Sequence, residues 1–251
     1  MGVVIMNPLP LAVVAALFVV GMCIITPEIQ NNDCIIVGIY PHMPPYQYYK
    51  NGELKGFEID LINELGRRMD KKIIFVETNY KYGNYLAGKS GNVDFSISAI
   101  TKTTQRENDV VFSDIYMYSY CSLITNDKKY TKLTDFRDKK IGALADSTFE
   151  DLAEDYLKSM NFELIRYDNF QSMHSDLLAD NLDGAFTDYR YHLNTDDKTG
   201  PYLVENLEIH YFGVVSSKDN KDLIDEINME LLNMKADGSL ESLNEKYFEF
   251  N

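Results

Sequence analysis

A chain of 251 residues, 45% apolar and 25% charged, is long enough for one large domain or two modest ones and can bury a real core. Its formal net charge of −15 argues against nucleic acid as a partner, because binding phosphates requires a basic face. Three cysteines (Cys23, Cys34, Cys121) and four histidines (His42, His174, His192, His210) show no ligand spacing, so no metal site, dense disulfide framework or cofactor is expected.

Residues 3–26 are almost uninterruptedly apolar, broken only by Asn7, Pro8 and Pro10. The run is long enough for an export signal or a membrane anchor. A buried core helix is the weaker reading for a terminal segment without a polar face. The run reaches Val20-Gly21-Met22-Cys23, similar to a lipoprotein processing box in which Cys23 takes the lipid. Met22 departs from the small residue of such a box, and no basic side chain precedes the apolar run, so an uncleaved anchor stays open. Residues 27–34 read as a polar linker. The remainder is expected outside the cytoplasm, in the periplasm or at the cell surface, tethered to a membrane or secreted.

Residues 34–40 read as a strand, and the PHMPPYQYY that follows is rich in turn formers. A helix begins at Phe57, with Phe57, Leu61, Ile62, Leu65 and Met69 on one apolar stripe. Residues 72–77 form a second strand, 80–87 a short helix, and 93–97 a third strand after the turn at Gly91. This β-α-β-α-β order predicts an open α/β sheet, whose ligands belong at the carboxyl ends of its strands. Residues 110–124 read as one long strand crossing into a second lobe. There the pattern restarts: strand 141–144, helix from Thr148, strand 164–167, helix 171–179, and strand 184–187 ending in Asp188. Val214 and Val215 return as a strand, and helices over 221–235 and around Leu240, Leu243 and Tyr247 finish the chain. The 18 tyrosines suit a pocket for a small polar ligand, although a biased genome would give the same count.

Residues 96–116, SISAITKTTQRENDVVFSDIY, organise the rest. A strand end is followed by side chains that both donate and accept hydrogen bonds, and then by Arg106, a fixed positive charge with a planar fork of donors. Such a loop can hold a carboxylate. A lone arginine in a polar loop is also commonly a solvated or structurally paired residue, so spacing alone leaves both readings open.

Six stretches in order carry a resemblance to a known family. Residues 38–46 with the GFEIDL of 56–61 resemble a first strand, a YPPF-type turn and a GFDIDL helix start. Ser90-Gly91-Asn92-Val93-Asp94 resembles an SGKVD turn, and Thr101, Thr103 and Arg106 sit as in a T-x-T-x-x-R loop. Val111-Phe112-Ser113 with Tyr116 resembles a DFSxPY strand, and the GALADSTFE of 142–150 a degenerate GVQxGTTxE turn. Lys235-Ala236-Asp237-Gly238 and Lys246-Tyr247-Phe248 are similar to the C-terminal helices. The chain thus resembles the family 3 solute-binding proteins, the polar amino acid receptors of ABC importers.

The resemblance implies a periplasmic binding protein type 2 fold: two open β-sheets flanked by helices, joined by a two-strand hinge. One lobe would hold residues 35–116 and 213–251, the other 117–212. The lobes would close over one amino acid, and the closed form would dock on ABC permease subunits. Ligand contacts on both lobes would drive that population shift. Arg106 would grip the ligand carboxylate, with Thr101 and the backbone at Ala99 adding hydrogen bonds. From the other lobe Ser147 and Thr148, at a helix N-terminus, would bind the same carboxylate, although Ser147 and Glu150 also have capping-box spacing. Asp188 would pair with the ammonium.

Departures from the family pattern touch specificity. Tyr40 stands where receptors for cationic amino acids often carry an acid, which disfavours a strongly cationic ligand. Met43 replaces an aromatic that covers the ligand, and Tyr80 or Tyr82 would supply the opposite face. Asp146 replaces a glycine and either caps the helix or sets a negative charge beside the ligand. Nothing resembles a nucleophile–base pair, so no enzyme is expected. The alternatives are a cleft enzyme of this fold, acting on prephenate- or arogenate-like acids with Asp146 as acid or base, and a ligand-sensing domain.

Overall fold

The computed structural model describes residues 33–78, 81–193 and 201–248. The apolar leader with Cys23 and the side chain of Tyr80 lie outside them, and Tyr82 is described by its backbone alone. No helix among the described residues is long and apolar enough to cross a membrane.

In chain order the first half holds β1 (Cys34–Ile39), β2 (His42–Met43), β3 (Gln47–Lys50), β4 (Glu53–Lys55), α1 (Phe57–Arg68), β5 (Lys72–Glu77), α2 (Lys81–Lys89), β6 (Phe95–Ser96), α3 (Thr104–Glu107), β7 (Val111–Phe112) and β8 (Met117–Thr125). The second half holds β9 (Lys140–Leu144), α4 (Thr148–Leu157), β10 (Glu163–Tyr167), α5 (Phe170–Leu178), β11 (Gly184–Asp188), α6 (Tyr189–Leu193), β12 (Tyr202–Phe212), β13 (Val215–Ser216), α7 (Lys221–Ala236) and α8 (Ser239–Phe248). One five-stranded sheet has the order β5-β1-β6-β13-β7, the other β10-β9-β11-β8-β12. In each, strands β1, β5, β6 and β9, β10, β11 run parallel, which demands helices on the faces and places the strand ends together. The architecture is the two-lobed α/β arrangement of two open sheets, and the chain crosses between them at 113–116, before β8, and at 213–214, after β12. Strands β8 and β12 pair antiparallel from Met117–Phe212 to Thr125–Tyr202, while the strands just outside them, β7 and β13, belong to the first sheet.

The start of α1 shows why this sequence folds locally as it does. Gly56 adopts φ +132°, and a Cβ there would lie 2.1 Å from the Tyr46 carbonyl oxygen, so only glycine fits. The helix then turns Phe57, Leu61, Ile62 and Leu65 into the core with no exposed surface. Glu58 shares that buried side. The Ile62, Leu65 and Met69 positions continue its spacing, so a carboxylate occupies a helix face that is otherwise apolar.

Three elements differ from the sequence expectation. The single strand expected over 110–124 breaks at 113–116, because the Asp114 N–H donates to Asn228 Oδ1 (2.6 Å) and the Ser113 hydroxyl accepts from the Val214 N–H (2.9 Å). The turn-rich segment after β1 contains a small antiparallel sheet, β2-β3-β4. Strand β12 was not anticipated. Its register shifts at Leu203/Glu205 and Asn206/Glu208, which scrambles the apolar–polar alternation a strand normally shows. Cys34 is exposed and Cys121 buried, and neither forms a disulfide.

Candidate functional site

A cavity lies where the carboxyl ends of the two sheets face each other. The first-lobe side is Tyr85, Ala99, Ile100, Thr101 and Arg106, and the second-lobe side is Leu144, Ala145, Asp146, Ser147 and Thr148. Six residues singled out from sequence therefore share one cavity: Ala99, Thr101, Arg106, Asp146, Ser147 and Thr148. Its walls meet where Thr101 Oγ1 and Thr148 Oγ1 stand 3.2 Å apart. The hydroxyl of Thr148 also lies 3.5 Å from Nδ1 of the buried His210.

The first wall is held by contacts within the protein. Thr103 caps the short helix α3, accepting from the Arg106 N–H (3.2 Å). The Arg106 Nη1–H donates to the Thr101 carbonyl (2.9 Å), and the guanidinium lies 5.2 Å from the Tyr85 ring centroid, within cation–π range. The loop is pinned to the hinge by Lys102 N–H to Tyr211 O (2.8 Å) and Gly213 N–H to Ile100 O (3.2 Å). Ala99 holds φ +46°, an unfavourable setting for a residue with a Cβ. Its N–H donates to Glu58 Oε1 (2.7 Å), and the same carboxylate accepts from Gln47 Nε2 (2.6 Å) and from the Tyr116 hydroxyl. This buried carboxylate, met by three donors, braces the strained turn.

The second wall is a helix start. The Ser147 hydroxyl accepts from the N–H groups of Phe149 (3.2 Å) and Glu150 (3.4 Å), so it caps α4. Glu150 does not complete the expected capping box. Its carboxylate accepts instead from the Asp146 N–H (2.7 Å), one residue earlier, where Asp146 has φ +53°. With the Ser147 hydroxyl engaged in the cap, the groups this turn presents to the cavity are the Thr148 hydroxyl and the helix N-terminus, which favours an anion. On α4, burial pushes the Asp151 carboxyl up while the Arg106 charge pulls against that shift.

Three sequence candidates do not line the cavity. Met43 has no exposed surface and sits in the core. Tyr40 is buried, edge-on to His42 with centroids 5.0 Å apart; burial, then the charge of Asp168, raises its phenol pKa. Asp188 is 1% exposed, and its Oδ1 accepts from the Tyr46 hydroxyl and the Tyr191 N–H, each at 2.9 Å. Conversely, Tyr85, Glu58 and Tyr46 carried no role in the sequence reading. Tyr85 follows Tyr82 by three positions in α2, one helical turn, which was the available signal. For Glu58 the signal was a charge on an apolar stripe.

The Arg106 loop facing a helix start across a two-strand hinge is the geometry of a small-molecule trap, and the comparisons agree. The histidine-binding periplasmic protein of Salmonella typhimurium is 28% identical over 233 residues, covering 86% of this chain and 88% of that one. The ABC transporter arginine-binding protein 1 of Escherichia coli is 26% identical over 220 residues, covering 84% and 89%. A crystal structure of an ancestral amino acid-binding protein, a precursor of cyclohexadienyl dehydratase, superposes with a TM-score of 0.79 at 26% identity, covering 89% of this chain and 98% of that one. Residues 35–250 match the model of the bacterial extracellular solute-binding proteins, family 3, and the chain belongs to that family.

Proposed function

We propose that this protein captures a free amino acid outside the cytoplasm by closing two lobes over it and delivers it to the permease of an ABC importer. The lobes would be residues 35–116 with 213–251, and residues 117–212. The observation that carries this reading is the shared cavity of Arg106 and Thr101 with Thr148. Arg106 and the N-terminus of α4 would hold the ligand carboxylate from opposite sides, with Thr101 and the Ala99 backbone adding hydrogen bonds. Asp188 would pair with the ammonium. The protein acts by binding and does not turn over its ligand.

The relatives named for histidine and arginine replace the expectation, drawn from Tyr40, that a cationic ligand is disfavoured. Cationic amino acids head the candidates, and acidic charge is available without an acid at position 40. Asp146 lies on the cavity wall, and the charge of Asp168 reaches Tyr40.

A thermal-shift screen of the protein against the twenty amino acids tests the reading. L-arginine or L-histidine should give the largest stabilisation, and no shift with any amino acid would refute it. Turnover of prephenate or arogenate, abolished in Asp146→Asn, would instead establish an enzyme. We also propose that Cys23 carries the lipid anchor. Radiolabelled fatty acid should enter the wild-type protein in cells and not the Cys23→Ser variant, and label in neither would refute the anchor.

A further inference from the structure

Tyr46 and Asp188 are 142 residues apart in sequence, yet the Tyr46 hydroxyl donates to Asp188 Oδ1 at 2.9 Å. Tyr46 lies between β2 and β3, in the segment that follows β1 in the first lobe. Its ring packs against Phe212 (centroids 5.9 Å apart) and Phe248 (5.4 Å), and the residue has no exposed surface. Those contacts need only an aromatic ring. The hydroxyl is a separate matter, because it reaches a carboxylate at the end of β11 in the second sheet. Strand β11 runs parallel to β9, and both end on the side where the cavity lies.

We propose that Tyr46 is a positioning residue whose hydroxyl bonds the second lobe's Asp188, biasing the lobes toward closure before ligand binds and orienting that carboxylate for it. The physical reason is desolvation. Closure removes the Asp188 carboxylate from water, and a buried carboxylate without adequate donors strongly disfavours the state that buries it. One donor, the Tyr191 N–H, comes from the second lobe itself and travels with Asp188. Another, the Tyr46 hydroxyl, is supplied only when the lobes meet. Burial, then the charge of Asp188, pushes the Tyr46 phenol well above its usual range, so it stays a neutral donor. A charge-assisted hydrogen bond of this kind is among the stronger single contacts a closed state can add.

The orienting role rests on the amino acid-binding reading, whereas the closure bias does not, and the test separates them. Small-angle scattering of the ligand-free protein should show a larger radius of gyration for Tyr46→Phe than for wild type, with thermal unfolding confirming that the variant is folded. Affinity for L-arginine and L-histidine should fall about tenfold or more, mainly through faster dissociation. In an Asp188→Ala background, adding Tyr46→Phe should leave the radius of gyration unchanged and alter the affinity by less than twofold, because Tyr46 acts through Asp188. Unchanged scattering and affinity in folded Tyr46→Phe would overturn the proposal, as would an equal effect in the Asp188→Ala background. If wild type binds no amino acid at all, the functional reading fails and scattering alone decides the closure bias.

Discussion

Glu58 and Asp188 are both buried carboxylates near the cleft, but their donors come from different places. Glu58 draws on Gln47, Ala99 and Tyr116, residues that come before the crossing strand β8. Asp188 draws on Tyr191 beside it and on Tyr46 from the opposite lobe. The first carboxylate braces one wall of the cleft, and the second, on our proposal, joins the two lobes. Removing one should cost stability, and removing the other should cost closure.

The largest effect expected from this contrast is that of Glu58→Ala. It removes the acceptor of three buried hydrogen bonds and leaves Ala99 at φ +46° without its brace. We expect a loss of about 4 kcal/mol in chemical denaturation, together with loss of binding. A loss under about 1 kcal/mol would mean the network is not what holds the turn.

A third buried ionisable group sharpens the comparison because no carboxylate among the described residues pairs with it. Burial, reinforced by the charge of His192, pushes the His174 imidazole down to about 4 from its ordinary 6.5. The unfolded chain therefore takes up this proton near pH 6.5 and the folded one only near pH 4. Between those values the unfolded state binds more protons, so stability falls as pH drops, by about 3 kcal/mol at full extent, and this contribution is constant below about pH 4. His174→Met should flatten the pH dependence of stability in that window. An equally steep fall in the variant would assign the acid sensitivity elsewhere.

The smallest effect concerns the second wall. Ser147→Ala removes the cap of α4 and should cost about 1 kcal/mol of stability. If the Ser147 hydroxyl serves only the cap, ligand affinity should change by less than about threefold once the helix is intact. A hundredfold loss in a folded Ser147→Ala protein would restore it as a direct ligand contact.

Much of the fold was legible because its signals are local. The apolar stripe from Phe57 to Met69, the β/α alternation on either side of the hinge and the GFEIDL start all follow from period and turn chemistry. Strand β12 was not legible, since its two register shifts break the apolar–polar alternation that marks a strand. The break at 113–116 depends on Asn228, more than a hundred residues away. The same division holds in the site. Arg106, Thr101 and Thr148 could be found from loop motifs, whereas Tyr85, Glu58 and Tyr46 act through contacts with residues distant in sequence. Tyr40 lies in the core and off the cavity wall, where Asp146 is the acidic group, so position 40 does not decide the ligand's charge.

The central claim is that Arg106 clamps the ligand carboxylate against the start of α4. Calorimetric titration of L-arginine and L-histidine into wild type and Arg106→Ala tests it most directly. The account predicts that truncation weakens the tighter ligand at least a hundredfold while the ligand-free protein stays folded. Equal affinity in the two proteins would contradict it.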